Sequence, residues 1–545
     1  MSYIIHLIGL TPVILVILAF ALPLVSLIVK NRRIWEVYGV IGSLIGLLLA
    51  SLTFYYTYFV ESPIVYKFGA WPPPIGIVYE IDRFSSLLGL VVAGVMFLVA
   101  LYSIEYLERE HGIEWYFTLF LGMEAGMLGV LYTGDVFNLF VMLEVTSVTA
   151  YGLVAFYRSR KESIEAALKY AIIGSTATTI YFIALALIYG SYGTLNMAQI
   201  SLKTASPIDY FFTILYGNRL VSDALYYPGL AVAGAAAIAL AIWAFSVKAA
   251  LFPNHFWLPD AHPAAPSPVS AVLSGLLVKV GVYAIARFTF TLFHGASLDI
   301  LVSEALKNAV NVLLVVLLVL GAASALVAGF MMIIQSDIKR LIAYSTIMHI
   351  GYIAMGLGLA SYIGLQATVY HAINHAVAKA LLFLAAGVFI HVVGSRSIDE
   401  ISGIGRVMPV TTSSFIVAAF SLAGMPPFNG FASKSLLYIG FIDAGLAPLA
   451  LIIVLSSALA FMAYAKIIYG VWLKAPIRDI SSLRDPSWRM KIPLMVLSIT
   501  CVLLGILSPY VLNYIVSPAV VDLAYNAKDY IVAALNELQQ ILLSG

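Results

Sequence analysis

The sequence predicts an all-α polytopic membrane protein, and three observations predict it. Only 10% of the 545 residues are charged, against about 25% in a typical soluble domain. Sixty-two per cent are hydrophobic, with a mean hydropathy of +1.00. Apolar runs of spanning length recur along almost the whole chain. The net charge of +2 is too small to imply a nucleic-acid partner. The single cysteine, Cys501, excludes an internal disulfide and a cysteine-ligated iron–sulfur cluster. No CxxCH, and no GxGxxG in a strand–turn–helix context, is present. No metal or cofactor is therefore expected in this chain, and any redox centre that drives it belongs to another subunit.

Breaking the chain at charge and Gly/Pro clusters gives about fourteen spans of roughly 20 residues. They are 4–29, 36–60, 84–104, 114–132, 135–157, 164–190, 227–251, 266–290, 308–334, 339–360, 363–392, 408–440, 447–472 and 492–514. The first lacks a basic leader and is long enough to span, so it reads as a helix rather than a signal peptide. Val521–Leu543 reads as an additional amphipathic or membrane-lying helix, and the loop Ser191–Asp223 as the longest polar connection.

Loop charge sets the expected orientation. Alternate loops carry Lys30, Arg32, Arg33, Arg109, Arg158, Arg160, Lys161, Lys339, Arg340, Arg396, Arg406, Lys474, Arg478, Arg484, Arg489 and Lys491. The other loops and the tail hold only Lys67, Arg83, Lys203, Arg219, Lys307 and Lys528. The positive-inside rule places the richer set in the cytoplasm of a cell membrane and both termini outside. An even number of spans is consistent with that.

Three stretches recur in the same order. Asp135 in Gly134-Asp135-Val136 matches Asp337 in Ser336-Asp337-Ile338, and Ala171-Ile172 through Ala184 matches Ala372-Ile373 through Ala385, both at an offset of about 200 residues. Ala244-Phe245-Ser246 with Asn254 and Phe256 matches Ala419-Phe420-Ser421 with Asn429 and Phe431. Each repeat holds about five helices, and an odd number inverts the second copy, as in many transporters. The expected division is N-terminal helices 1–113, a first repeat 114–290, a second repeat 308–472, and a C-terminal helix and tail 473–545. Pro253 and Pro259 interrupt the third stretch in one copy; Pro426, Pro427 and Gly430 interrupt it in the other. Paired broken helices in corresponding positions are the best sequence pointer to a transport site, with ordinary proline kinks as the alternative.

Lys248, Lys279, Lys379 and Lys434 lie inside apolar runs, and Glu144 lies in another. A charged group near a bilayer centre costs at least about 2.5–3.5 kcal/mol. Lysines and carboxylates that trade protons are the usual parts of an ion pathway. Glu144 stands mid-helix in Phe140-Val141-Met142-Leu143-Glu144-Val145, and Lys248, just before Pro253, is its natural partner. The alternative is a static pair that only joins two helices. Lys279 has no local acid and lies too deep to snorkel, which suits a group that gives up and regains a proton. His371, His375 and Lys379 fall at i, i+4 and i+8 on one helical face. A neutral imidazole both donates and accepts, so His375 and Lys379 can relay protons. A metal at the HxxxH pair would lack a nearby cysteine or carboxylate to complete its shell. Lys434, beyond the second break, would be the exit-side lysine. His255 and His349 are further candidates, with a structural role as the equal alternative. Glu124 lies inside the fourth span without an obvious partner, and Glu165 with Lys169 reads as an interfacial helix pair.

Thr133-Gly134-Asp135-Val136-Phe137-Asn138-Leu139-Phe140, followed by Glu144, resembles the signature of the antiporter-like subunits of respiratory complex I and of Mrp cation/proton antiporters. So do Lys248-Ala249-Ala250-Leu251-Phe252-Pro253, Trp257-Leu258-Pro259-Asp260-Ala261, and His375 through Lys379-Ala380-Leu381-Leu382-Phe383. The resemblance covers nearly the whole chain, most clearly residues 80–475. It implies fourteen core helices, inverted five-helix repeats, two broken helices and a central hydrophilic axis. It implies that Glu144 and Lys248 form a half-channel pair, Lys279 links, His375 and Lys379 relay at the centre, and Lys434 ends the path. A lysine at that last position resembles Mrp D-type subunits. Membrane-bound hydrogenases and sulfur reductases carry very similar subunits. The implied function is translocation of protons, or of protons coupled to sodium, within a multisubunit membrane complex. The implied partners are other membrane subunits, the bilayer, and a peripheral redox module holding iron–sulfur, nickel–iron or flavin centres. A stand-alone cation/proton antiporter and a non-translocating scaffold are the rivals. Glu124 departs from the family pattern and stands outside the central-axis picture.

Overall fold

The computed structural model describes residues 2–205, 228–293, 304–477, 479–526 and 529–534. Twelve described helices are long and apolar enough to cross a membrane. The two spans missing from the expected fourteen are the ones the breaks shorten, Val232–Lys248 and Pro409–Ala423. Most of Ser191–Asp223 and of Val521–Leu543 lies outside the described residues.

Two local features depart from the sequence reading. The first span divides into Ser2–Gly9 and Thr11–Ile28. Between the second and third spans, Ile64–Lys67 and Val78–Ile81 pair as a two-stranded antiparallel sheet, with Ile64 opposite Ile81 and Lys67 opposite Val78. The connection runs through a single 3-10 turn, Phe68–Ala70, and then Trp71-Pro72-Pro73-Pro74, whose prolines prevent a longer helix.

Arg83–Tyr106 starts from a capping box, in which the Asp82 carboxylate accepts from the Ser85 backbone and the Ser85 hydroxyl faces the Asp82 amide. The Asp82 carboxylate also receives the Arg287 guanidinium at 2.6 Å, and both side chains are only 2% exposed. That pair ties the start of Arg83–Tyr106 to the far end of the Ser267–Leu292 span.

The internal sequence matches coincide with matching local structure. Asp135 caps Val136–Val154 and Asp337 caps Ile338–Leu359. The 32-residue helices Lys161–Tyr192 and Tyr362–Val393 both end at a left-handed glycine, Gly193 and Gly394. Each chain then returns to its capping aspartate through a single bridge, Asp135 with Asn196 and Asp337 with Ser397. The interrupted helices match as well. The Asn254 amide donates to Ser246 Oγ at 2.8 Å across the first break, and the Ser421 hydroxyl donates to Asn429 across the second.

Ser267–Leu292 and Ile338–Leu359 are buried throughout their apolar stretch, and Tyr362–Val393 along most of it. These helices form the middle of the bundle. Thr11–Ile28 and Trp488–Ile506 bury about a quarter of theirs and make up its periphery.

Candidate ion pathway

Lys248, Lys279, Lys379 and Lys434 are all buried, at 4%, 6%, 0% and 7% exposure. What surrounds each one is polar but not acidic. Lys248, the last residue of Pro228–Lys248, donates to Ser147 Oγ at 2.6 Å and reaches Tyr151 Oη at 3.5 Å. Glu144 is half-buried and forms no ion pair with Lys248, and its Oε1 has no hydrogen-bond partner among the described residues. The expected direct pair is thus replaced by an indirect one. Ser147 and Tyr151 stand three and seven residues beyond Glu144 on the same helix face and meet the ammonium first.

The first break gives its freed backbone groups new partners. Trp257 Nε1 donates to the Val247 carbonyl at 2.9 Å, and the Phe252 amide donates to Ser324 Oγ at 2.9 Å. Irregular backbone at membrane depth requires such satisfaction. Gly281 lets the Lys279 helix approach the break closely: a side chain there would meet the Ala249 nitrogen at 2.6 Å. Lys248 and Lys279 are therefore separated by backbone packing, with no described side chain hydrogen-bonded to both.

From Lys279 onward the polar groups connect. Lys279 Nζ donates to the Ser274 carbonyl at 2.6 Å, five residues back, where Leu273–Leu277 widens into a π-helical turn. Ser274 Oγ lies 2.6 Å from Thr346 Oγ1. Lys379 Nζ donates to the Ile342 carbonyl at 3.0 Å and to Ser345 Oγ, which Tyr464 also engages at 2.6 Å. The adjacent residues Ser345 and Thr346 thus bring the two lysine environments together.

Three histidines continue the series. His375 stacks obliquely against His349, with ring centroids 4.9 Å apart. His349 Nδ1 and His371 Nε2 are 3.0 Å apart, and His371 Nδ1 and Ser433 Oγ are 2.9 Å apart. Lys434, the next residue, donates to the Leu422 carbonyl at 2.7 Å and to Ser457 Oγ at 2.9 Å. Both His375 nitrogens lack partners among the described residues. His349 and His371 are integral to this cluster. His255 is not: it lies at the first break, half-buried and stacked on Phe252.

Glu124 points away from this series. Its Oε2 accepts from Ser43 at 2.8 Å, and Gly46 makes room for Oε1, so it faces the Arg32–Phe59 helix. The opposite side of its own helix, at Gly122 and Gly126, packs on Thr149 and Thr146. Glu165 and Lys169 pair at 2.7 Å, and Lys169 also reaches Asp260 at 3.3 Å.

Several polar residues escape sequence reasoning. Ser147, Ser274, Ser345, Thr346, Ser433 and Ser457 carry no charge and look unremarkable in apolar helices. His262 could have been noticed, as a histidine two residues after Asp260 at the break. It is fully buried, lacks partners on both ring nitrogens among the described residues, and stacks on Phe383 at 4.8 Å, one turn beyond Lys379.

A multi-pass helical bundle with two matched broken helices and buried lysines defines a class of membrane transport subunits. The sequence signature described as "NADH:quinone oxidoreductase/Mrp antiporter, TM" matches residues 133–460, and that of the complex I chain 5 N-terminus matches residues 73–117. The chain belongs to this antiporter-like family. It is 33% identical over 470 residues to NADH-quinone oxidoreductase subunit N of Desulforudis audaxviator, covering 83% of this chain and 87% of that one. Its fold is similar to a chain of the membrane-bound sulfane sulfur reductase, an archaeal respiratory membrane complex (TM-score 0.84, 31% identity, 96% and 99% coverage). It is also similar to a chain of the Mrp complex from Dietzia sp. (TM-score 0.83, 27% identity, 97% and 99% coverage).

Proposed function

We propose that this chain translocates protons across a cell membrane as one subunit of a larger membrane complex. The carrying observation is the near-continuous polar series Lys279–Ser274–Thr346, Ser345–Lys379, His375–His349–His371–Ser433 and Lys434–Ser457 through an otherwise apolar bundle. Glu144 and Lys248 supply one end, Lys279 links, His375 and Lys379 relay, and Lys434 supplies the other end. Energy comes from partner subunits: a redox module carrying iron–sulfur, nickel–iron or flavin centres, as the respiratory relatives suggest, or an Mrp-like set of membrane partners using an ion gradient. Sodium is the coupled ion in the alternative form of this reading.

The basic loops face the cytoplasm in this proposal, with both termini outside. Single cysteines introduced at Arg484 and at Lys67 test that, since the native Cys501 is buried. Labelling of the first from the cytoplasmic side only, and of the second from the outside only, is the expected result.

Mild-detergent purification of the native complex followed by mass spectrometry tests the assembly. Metal- or flavin-bearing subunits should co-purify if the drive is redox, and only small membrane subunits if it is Mrp-like. Proton transport by the lone reconstituted chain would overturn the subunit reading in favour of a stand-alone antiporter.

A further inference from the structure

A polar cavity of about 520 Å³ opens at the basic-loop end of the bundle, where the N-terminal helices and both repeats meet. Its wall carries Arg109, Arg160, Lys339, Arg396 and His391, against one acid, Glu110. Lys339 sits at the floor, only 3% exposed, donating to the Ala265 carbonyl. No described carboxylate pairs with it. The nearest in sequence, Asp337, is held by Arg396 at 3.2 Å, and Asp260 is shared by Arg340 and Lys169. Arg109 and Arg160 are exposed on the wall and form no ion pair with a described acid; Arg160 stacks over Tyr157 at 4.3 Å.

A buried ammonium without a counter-ion is costly. The cavity is within the size range of small-molecule sites. Its charge also argues against a mouth for protons, since concentrated positive charge repels an incoming cation. From these observations we propose that the cavity is a binding site for a phosphate-bearing anion, whose negative charge neutralises Lys339 while Arg109 and Arg160 close over it. Guanidinium groups match phosphate oxygens in pairs, and an ammonium serves as a point charge beneath them. The phosphate can come from the headgroup of an anionic lipid in the facing leaflet or from a free phosphate in the aqueous phase. The cavity shares none of its lining residues with the proposed ion pathway, and its test does not use transport.

The experiment takes the native complex, delipidated, into phosphatidylcholine nanodiscs. One arm adds inorganic phosphate; the other incorporates phosphatidylglycerol. Thermal shift and native mass spectrometry read binding in each. The Arg109→Gln/Arg160→Gln protein is compared with the wild type and with Arg484→Gln, an exposed change outside the cavity. If the double variant does not fold, Arg109→Gln alone takes its place. With both guanidinium groups gone, the double variant should weaken binding about 10- to 30-fold, with Arg484→Gln unchanged. Binding of phosphate alone with that loss supports a soluble anion. Binding only in phosphatidylglycerol discs with that loss supports a headgroup. No binding in either arm, or equal loss in Arg484→Gln, overturns the proposal.

Discussion

Lys248 Nζ lies 2.6 Å from Ser147 Oγ, while Glu144, one turn earlier on the helix that carries Ser147, leaves Oε1 without a hydrogen bond. The hydroxyl occupies the place in which a carboxylate would hold the ammonium permanently. Glu144 acts on the cation electrostatically without bonding it, which is a suitable arrangement for a pair that separates and rejoins during transport. Ser147→Ala should therefore let Lys248 move onto Glu144. A hydrogen bond to a charged group is worth about 1.5–3 kcal/mol, so a pair locked by that amount should slow proton flux by about 10- to 100-fold. Glu144→Gln should also slow flux, and adding Ser147→Ala to it should bring little further loss. Flux in proteoliposomes of the intact complex reads both; additive losses would show that Ser147 does not act through Glu144.

The buried lysines are legible in the sequence because each breaks a simple rule, charge inside an apolar run. The breaks are legible because proline removes a backbone donor at matching places in the two halves. The hydroxyls that hold the lysines are not, since Ser147 or Thr346 costs little in a membrane helix wherever it points. Lys339 illustrates the opposite failure. Counted with the loop charges, it is in fact buried, because the start of its helix is overlaid by the Pro263–Ala265 and Gly394–Arg396 segments. Glu124 reads as an orphan in the sequence because Ser43, its partner, is 81 residues away. The hairpin at residues 64–81 was hidden by a short apolar run too brief to separate from a helix end.

Ser345 and Thr346 are adjacent, and their hydroxyls serve Lys379 and Ser274, respectively. Ser345→Ala should leave Lys379 with the Ile342 carbonyl alone and reduce proton flux several-fold, while Ser345→Thr restores it. Lys379→Ala should abolish flux, because it removes the ammonium that stands between Ser345 and the histidine cluster. Flux equal to wild type in Lys379→Ala would remove the central relay from the mechanism.

Glu124 and Ser43 join Ile113–Tyr132 to Arg32–Phe59, off the polar series. Glu124→Gln keeps a donor and acceptor in the same space, so flux should remain within about twofold of wild type. Glu124→Ala leaves a cavity and an unpaired hydroxyl, and should lower thermal stability by about 1–3 kcal/mol. A large loss of flux in Glu124→Gln would place this carboxyl on an ion path of its own.

Asp82 bears two loads at once, the cap of Arg83–Tyr106 and the ion pair with Arg287. Arg287 also donates to Tyr283 Oη at 2.9 Å and to Thr291 Oγ1 at 3.2 Å, so each of its three guanidinium nitrogens has a partner in a buried site. Asp82→Asn preserves the cap but removes the carboxylate that pairs with the guanidinium. Breaking a buried pair from one side costs about 3–5 kcal/mol. The expected result is a marked fall in thermal stability with the helix content retained at low temperature. Asp82→Ala removes the cap as well and should cost about 1 kcal/mol more. Unchanged stability in Asp82→Asn would mean that another acid, with Glu80 the nearby candidate, neutralises Arg287 in its place.

Asp135 gives a pH-dependent test at the edge of the bundle. Burial raises its carboxyl from 3.8 to about 6, and the Asn138 and Phe137 amides pull it back only in part. The folded state therefore holds this proton more tightly than the unfolded chain does. Between about pH 4 and 6 the folded protein binds more protons, so its stability falls as pH rises through that window. Above pH 6 the ionised carboxylate is destabilising in full; below pH 4 both states are protonated and the effect disappears. Asp135→Asn keeps an oxygen to cap Val136–Val154 and removes the titration. Its stability should be flatter than wild type between pH 4 and 6 and higher at pH 7, as read by thermal unfolding in detergent across that range. Parallel pH profiles for the two proteins would assign the titration to another group.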